Sequence, residues 1–367
     1  MTETNKKSRM VEQDIAKGVA IILVMITHTL TLKREIFLIL GGLFGFILPF
    51  FFFMAGYNYK PGKYTFVQNV KRRSTRMLIP FIVYLTIVTV ISGIYYYFAK
   101  GLTLKQIMDI YLKALLTKPF TNLLEIEVPY GGMWNCVMTY WFIQMLFVGS
   151  VVFFLVVDRC LSSLSSLISI CIGLMGISMI FAHFDIRIPF YINEAPAIAS
   201  IMIVGAAFGK HNLLGPGIGR KKITLNAVIA YIIFLVFAAM FRGSGFIMGG
   251  VFSSEPLYEW NIPLTLLFAV TGSYALVHFC RLLTKPGVIS SALIWCGRHT
   301  LPILFLHNLV QLFVCSLLGI EPFRLSTRSK INDFRTFGIL AIEIAVTAAI
   351  IIVIEHIQKK LTLRDNT

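Results

Sequence analysis

The stretch that decides the fold is Asp14-Ile-Ala-Lys17-Gly-Val-Ala-Ile-Ile-Leu-Val-Met-Ile-Thr-His28, an apolar run between charged residues and a histidine. It predicts a membrane-spanning helix. Lys17 and His28 are about 16 Å apart along such a helix and share nearly one face, because eleven residues make about three turns. Lipid cannot satisfy this polar stripe. The stripe is therefore either part of an intramembrane site or a snorkelling lysine with a histidine near the far interface.

The whole chain has the composition of a polytopic membrane protein. Of its 367 residues, 57% are hydrophobic and 14% are charged, and the mean hydropathy is +0.79. A soluble domain carries about 25% charged residues. The net charge of +16 is spread over short segments between apolar runs. It therefore indicates basic cytoplasmic loops rather than a nucleic-acid partner.

The apolar runs predict an all-α membrane protein of about ten transmembrane helices, with residues 1–367 forming a single domain. The predicted spans are 15–32, 37–59, 77–99, 134–157, 161–182, 190–209, 223–241, 262–280, 288–319 and 335–357. The distribution of lysine and arginine favours an N-in/C-in topology in the inner (plasma) membrane, with cytoplasmic tails at 1–13 and 358–367. Gly297 and Pro302 predict that the ninth span is a short re-entrant piece followed by a kinked helix.

The cysteines give no sign of a disulfide framework or of a zinc site. The chain has six, mostly inside predicted spans and without CxxC or metal-ligand spacing: Cys136, Cys160, Cys171, Cys280, Cys296 and Cys315. We therefore expect no metal.

Three ionisable side chains are predicted at a similar depth in three different spans. Under the N-in topology His28, His307 and Glu343 all fall in the outer half of the membrane. Convergence at one depth is what a buried acid–base site requires. Taken singly, each is more often a packing or hydrogen-bonding residue, and Glu343 could simply pair with His28.

A basic run precedes the third predicted span. Arg72, Arg73 and Arg76 stand just before it, and Pro80 follows in its first turn. Arginine forks match phosphate geometry and a helix N-terminus favours anions, so a coenzyme-A thioester could dock here. Charge that orients the chain and contacts anionic membrane lipid explains the same pattern.

Aromatic and amide side chains open the fourth predicted span at the outer side. Trp141 and Asn135 lie there, where tryptophan is common as an interface anchor. The same side chains could wall a pocket for a sugar acceptor, because aromatic faces suit sugar rings. The glycine-rich segment 242–261 predicts a mobile lid or entrance.

Five segments occur in an order that resembles a known family. They are Asp14–His28, with a basic residue, ten residues and a histidine; Ile47–Tyr57, with aromatic residues before a small residue and glycine; Lys71–Pro80, a basic run into a helix; Tyr140–Ile143; and Trp295–His307, with the pattern Gly-x-x-Thr-Leu…His. Together they resemble the integral-membrane acyltransferase-3 family, which O-acylates mainly cell-envelope carbohydrates. The Asp-x-x-Lys-Gly form resembles the fucose O-acetylase-like branch, whereas many members carry arginine in place of Lys17.

The resemblance implies an O-acetyltransferase with acetyl-CoA as donor and a carbohydrate or lipid-linked saccharide as acceptor. Arg72, Arg73 and Arg76 would hold the donor phosphates, and Trp141 and Asn135 would contact the acceptor. The catalytic residues would be His28, as general base or transient acyl carrier, with Lys17 and Asp14 setting the geometry at the inner end of its helix, and with His307 and Glu343 orienting it or binding the acceptor.

Two other classes remain open. A secondary transporter also places charged residues at the midplane, although inverted repeats and paired broken helices are not evident in this sequence. A non-catalytic membrane binding protein is the second. A lipid-linked glycosyltransferase is disfavoured, because the predicted outer loops show only Glu125 and Glu127 as paired carboxylates.

Overall fold

The computed structural model describes residues 10–29, 45–116, 133–184, 186, 188–215, 261–320 and 333–364, together with isolated helical positions between 225 and 236. Every regular element in these ranges is a helix, which confirms the all-α prediction. The helices are α1 Val11–Thr29, α2 Ile47–Tyr57, α3 Phe66–Arg73, α4 Ile79–Lys100, α5 Leu104–Leu116, α6 Met133–Val137, α7 Trp141–Cys160, α8 Leu164–His183, α9 Ala195–Lys210, α10 Asn261–Cys280, α11 Val288–Arg298, α12 Thr300–Leu317 and α13 Asp333–Arg364.

Seven described segments are long and apolar enough to cross a membrane: Phe66–Lys100, Trp141–Cys160, Leu164–His183, Pro189–Lys210, Ile262–Leu283, Thr300–Leu317 and Thr336–Lys360. Each matches one predicted span. Of the other three, 15–32 corresponds to α1, which carries three charged residues in its first two turns, and 37–59 contains the short helix α2. Most of 223–241 lies outside the described residues. The count of ten and the N-in/C-in orientation stay predictions.

The ninth predicted span is two helices. Helix α11 ends at Arg298, His299 has φ −110° and ψ 23°, and α12 begins at Thr300. The break therefore lies before Pro302, which sits in the first turn of α12 where its missing N–H costs nothing. The structure shows a short helix followed by a second helix, as predicted, whereas the re-entrant path of the short helix and the kink of the second stay predictions.

Helix α1 packs most extensively against α11. It contacts α10, α11, α12 and α13. Its approach to α11 is close because small residues face the partner backbone: a Cβ on Gly18 would lie 2.0 Å from the Leu293 carbonyl oxygen, and one on Gly297 would lie 1.8 Å from that of Asp14. Backbone contact at these two points fixes where the end of α11 meets the start of α1.

Candidate active site

A cavity of about 680 Å³ opens between α1, α2, α3, α7 and α12. Seven cationic side chains line it: Lys17, Lys60, Lys63, Arg72, Arg73, Arg76 and Arg298. No described lining residue is acidic. Apolar side chains form the rest of its wall, among them Ile21, Val24, Phe51, Phe142 and Leu304. We call this space the basic cavity; its lining suits a ligand with a strongly anionic end and an apolar remainder.

Arg73 is partly buried, whereas Arg72 and Arg76 beside it are exposed. Its Nε donates to Ser150 Oγ of α7 at 3.1 Å, which fixes the guanidinium. Its Nη2 is buried and has no hydrogen-bond partner among the described residues. A buried donor without a partner is costly, so an anion that reached this nitrogen would be bound favourably.

A π-helical turn, Ser74–Leu78, follows these arginines and joins α3 to α4. The Ile79 N–H bonds to the Ser74 carbonyl five residues back, so the turn holds one residue more than an α-helical turn. Such widened turns are frequent at functional sites. Arg72 and Arg73, at the end of α3, and Arg76, in the π-helical turn, all line the basic cavity.

Asp14 connects two other cations of the basic cavity. Its side chain is buried, Oδ2 lies 3.3 Å from Arg298 Nε, and Oδ1 lies 3.8 Å from Lys17 Nζ. Arg298 was not among the predicted site residues, although a charge inside a predicted span was a signal for it. The buried Asp14 thus joins Lys17 and Arg298, which both line the cavity, and Lys17 lies about 16 Å along α1 from His28.

Two tyrosines, Tyr59 and Tyr64, also line the basic cavity. Tyr59 donates a hydrogen bond to Asp158 Oδ1 at 3.0 Å. At Tyr64 a hydrogen bond from Lys63 is the main cause of a lowered pKa, and the charge of Arg72 adds to it.

His28 and His307 lie next to each other, with ring centroids 5.5 Å apart. His307 is fully buried, and its Nδ1 lies 3.1 Å from the Ile303 carbonyl oxygen and 3.0 Å from that of Leu304. Carbonyl oxygens only accept, so Nδ1 carries the proton. Nε2 is then a lone-pair acceptor, and it has no hydrogen-bond partner among the described residues.

Glu343 reaches the same region from α13. It is fully buried, and its Oε2 lies 2.7 Å from the hydroxyl of Thr29, the residue after His28. Its described hydrogen-bond partner is therefore Thr29 rather than His28. Gln311, which the sequence did not single out, donates from Nε2 to the His28 carbonyl oxygen at 3.3 Å. Helices α1, α12 and α13 thus bring His28, His307 and Glu343 to one place.

The basic cavity leads towards the two histidines. Its lining includes Val24 and Leu304. Val24 lies one helical turn before His28, and Leu304 one turn before His307. A ligand whose charged end is held by the arginines would therefore extend its other end towards the histidine pair.

Of the two residues predicted to contact the acceptor, the structure describes the side chain of Trp141 only. Trp141 packs against Phe142 and Tyr191, and it is Phe142, not Trp141, that lines the basic cavity. The side chain of Asn135 and nearly all of segment 242–261 lie outside the described residues. Within the described ranges no group of three or more His, Cys, Asp or Glu side chains is placed to hold a metal ion.

Comparison with protein families resolves the class of protein. The acyltransferase-3 family model, described as an acyltransferase domain, matches residues 11–354. The chain belongs to the acyltransferase-3 family. This match confirms the family resemblance drawn from the five segments and indicates a multi-pass membrane acyltransferase. The fucose O-acetylase-like branch stays a prediction. Neither the curated proteins nor the solved structures searched contain a match.

Proposed function

We propose that this acyltransferase moves an acetyl group from cytoplasmic acetyl-CoA to a hydroxyl of a cell-envelope carbohydrate, free or lipid-linked. The observation that carries the proposal is the buried, unpartnered Nη2 of Arg73 in a cavity lined by seven cations. Coenzyme A has phosphates for such a cavity and a long thioester arm. The N-in orientation, in the inner (plasma) membrane, opens the cavity to the cytoplasm.

The donor would bind with its charged end at the rim of the basic cavity. Arg72, Arg73 and Arg76 hold the phosphates, and Arg298 and Lys17, held by Asp14, complete the ring of positive charge. The thioester arm runs past Ile21, Val24 and Leu304. The acetyl group then lies near His28 and His307.

The transfer itself needs a base beside the thioester carbonyl. His28 accepts the proton of the acceptor hydroxyl, the oxygen attacks the carbonyl carbon, and the carbon–sulfur bond breaks. The coenzyme-A thiolate then takes the proton from His28, which returns the base to its starting state. Alternatively, His28 attacks first and carries the acetyl group before passing it to the hydroxyl. Both routes use His28 at the same position.

The acceptor would approach from the outer side. His307 Nε2 and the Oε1 atoms of Gln311 and Glu343 are buried atoms without described partners. All can accept hydrogen bonds, which suits a ligand rich in hydroxyl donors. His307 and Glu343 therefore serve to bind the acceptor or orient His28. Trp141, at the start of α7, and Asn135, in α6, would be further acceptor contacts.

The test is coenzyme-A release from acetyl-CoA by the purified protein in nanodiscs with an envelope-glycan fraction. Arg73→Ala should weaken acetyl-CoA binding, whereas His28→Ala should keep binding and lose turnover. Arg159→Ala is the matched control, because Arg159 is exposed on α7 and does not line the basic cavity. If Arg159→Ala weakens binding as much as Arg73→Ala, the effect is general electrostatics and the assignment of the donor site is wrong.

One specific observation favours a second candidate. The break between α11 and α12, next to the ion pair of Asp14 and Arg298, is the kind of discontinuous helix that secondary transporters use to bind substrates. Wild-type protein that neither binds nor consumes acetyl-CoA with any glycan fraction would contradict the donor proposal. Substrate uptake by vesicles containing the protein would then support transport.

A further inference from the structure

A rigid turn lies at the mouth of the basic cavity. In Lys60-Pro61-Gly62-Lys63 the Lys63 N–H donates to the Lys60 carbonyl at 3.3 Å, and Gly62 has φ +68°. Proline before a glycine of positive φ is the arrangement of a type II turn, in which both residues restrict the backbone. The turn therefore presents the next residue, Tyr64, in a defined position.

The other side of Tyr64 is fixed by the start of α3. Thr65 caps this helix, and it and Gln68 form a reciprocal capping box through bonds of 3.3 Å and 3.1 Å. Asn69 Nδ2 donates to the Tyr64 carbonyl at 3.2 Å. Tyr64 is thus held between a closed turn and a capped helix, although it lies at the edge of the protein.

The ring of Tyr64 contacts cations rather than the apolar core. The Arg72 guanidinium carbon lies 4.1 Å from the ring centroid and Lys63 Nζ lies 5.2 Å from it. Tyr64 is partly exposed, and all three side chains line the basic cavity. A phosphate bound by Arg72 would therefore hold its attached nucleoside beside this ring.

We propose that the ring of Tyr64 is the stacking platform for the adenine base of the coenzyme-A donor. The proposal rests on the proposed function, since it assigns the nucleotide end of that donor. An aromatic face binds any base by stacking, and a guanidinium next to it adds a contact to the phosphates. The turn and the capping box keep the platform in place before the donor arrives.

The experiment measures binding of three probes to the full-length protein in nanodiscs by calorimetry. The probes are acetyl-CoA, acetyl-phosphopantetheine, which lacks the nucleotide, and adenosine 3′,5′-bisphosphate, which lacks the arm. Tyr64→Ala should weaken the binding of acetyl-CoA and of the bisphosphate roughly 5- to 150-fold, the range expected for one stacked base. Binding of acetyl-phosphopantetheine should not change, and Tyr64→Phe, which keeps the ring, should bind all three probes like the wild type.

Several results overturn the inference. Equal weakening of acetyl-CoA and acetyl-phosphopantetheine by Tyr64→Ala means that the residue supports the cavity as a whole. Unchanged acetyl-CoA affinity means that the base lies elsewhere, and equal loss in Tyr64→Phe means that the hydroxyl acts instead of the ring. Tyr97→Ala, which removes an exposed tyrosine from α4, controls for general effects. Failure of the wild type to bind acetyl-CoA at all is a different result, because it contradicts the donor proposal itself.

Discussion

The rings of His28 and His307 lie 5.5 Å apart, although they come from helices at opposite ends of the chain. Their environments differ: His28 is partly exposed, whereas His307 is fully buried with Nδ1 engaged by two carbonyl oxygens. The more accessible ring is better placed to meet a substrate. We therefore propose His28 as the residue that accepts the proton and His307 as a positioning residue.

From this assignment we expect His28→Ala to lower kcat roughly 10²- to 10⁴-fold, the usual contribution of a general base. Acetyl-CoA affinity should change little, because the cations of the basic cavity are untouched. The measurement is coenzyme-A release at saturating donor, with calorimetry for binding. His211→Ala, at an exposed histidine, should have wild-type activity. A His28→Ala variant that retains turnover would show that another group takes the proton.

A second prediction concerns the hydrogen bond between Thr29 and Glu343. Thr29→Val removes the hydroxyl that lies 2.7 Å from the buried Oε2, leaving that oxygen unsatisfied. We expect a loss of about 1–3 kcal/mol in the free energy of unfolding. Thr29→Ser keeps the hydroxyl and should lose far less. Thermal unfolding in nanodiscs compares the two variants, and equal stability of Val and Ser would mean that the bond contributes nothing measurable.

A third prediction concerns the ion pairs that Asp14 forms with Lys17 and Arg298. Asp14→Asn removes the charge that attracts Arg298 and Lys17, so both should leave their places at the rim and acetyl-CoA affinity should fall several-fold. The double variant Asp14→Asn/Arg298→Ala should be little weaker than the worse single variant, because residues in one network are not additive. Calorimetry measures acetyl-CoA affinity for the wild type, the two single variants and the double variant, which together form a double-mutant cycle. Additive losses would show that the two residues act independently.

The sequence predicted the helices and the intramembrane charges but not how they meet. Long apolar runs and ionisable residues inside them are visible in a single sequence, and they indicated His28, His307 and Glu343. Which helices become neighbours depends on packing between distant segments. For that reason the proximity of Asp14 and Arg298, and the bond from Gln311 to the His28 carbonyl, appear only in the structure.

The break between α11 and α12 shows the same limit. Gly297 and Pro302 both marked the region, but neither alone gives the position of a break. The structure shows that Gly297 serves the contact with the Asp14 backbone and that Pro302 fits a helix start, so the chain changes direction between them at His299. The local sequence therefore predicted the position of the helix break to within one turn. Contact with a distant helix determines the residue at which the break occurs.

The close approach at Gly297 gives the last prediction. In Gly297→Ala the new Cβ would lie 1.8 Å from the Asp14 carbonyl oxygen, so α11 must move away from α1. We expect a loss of about 1–3 kcal/mol in stability, typical of overpacking, together with weaker acetyl-CoA binding as Arg298 leaves Asp14. Gly173→Ala, where nothing lies within 4 Å of the added Cβ, is the control and should unfold like the wild type. If Gly297→Ala loses stability but binds acetyl-CoA normally, contact between the helices matters for folding only, and Arg298 does not contribute to the donor site.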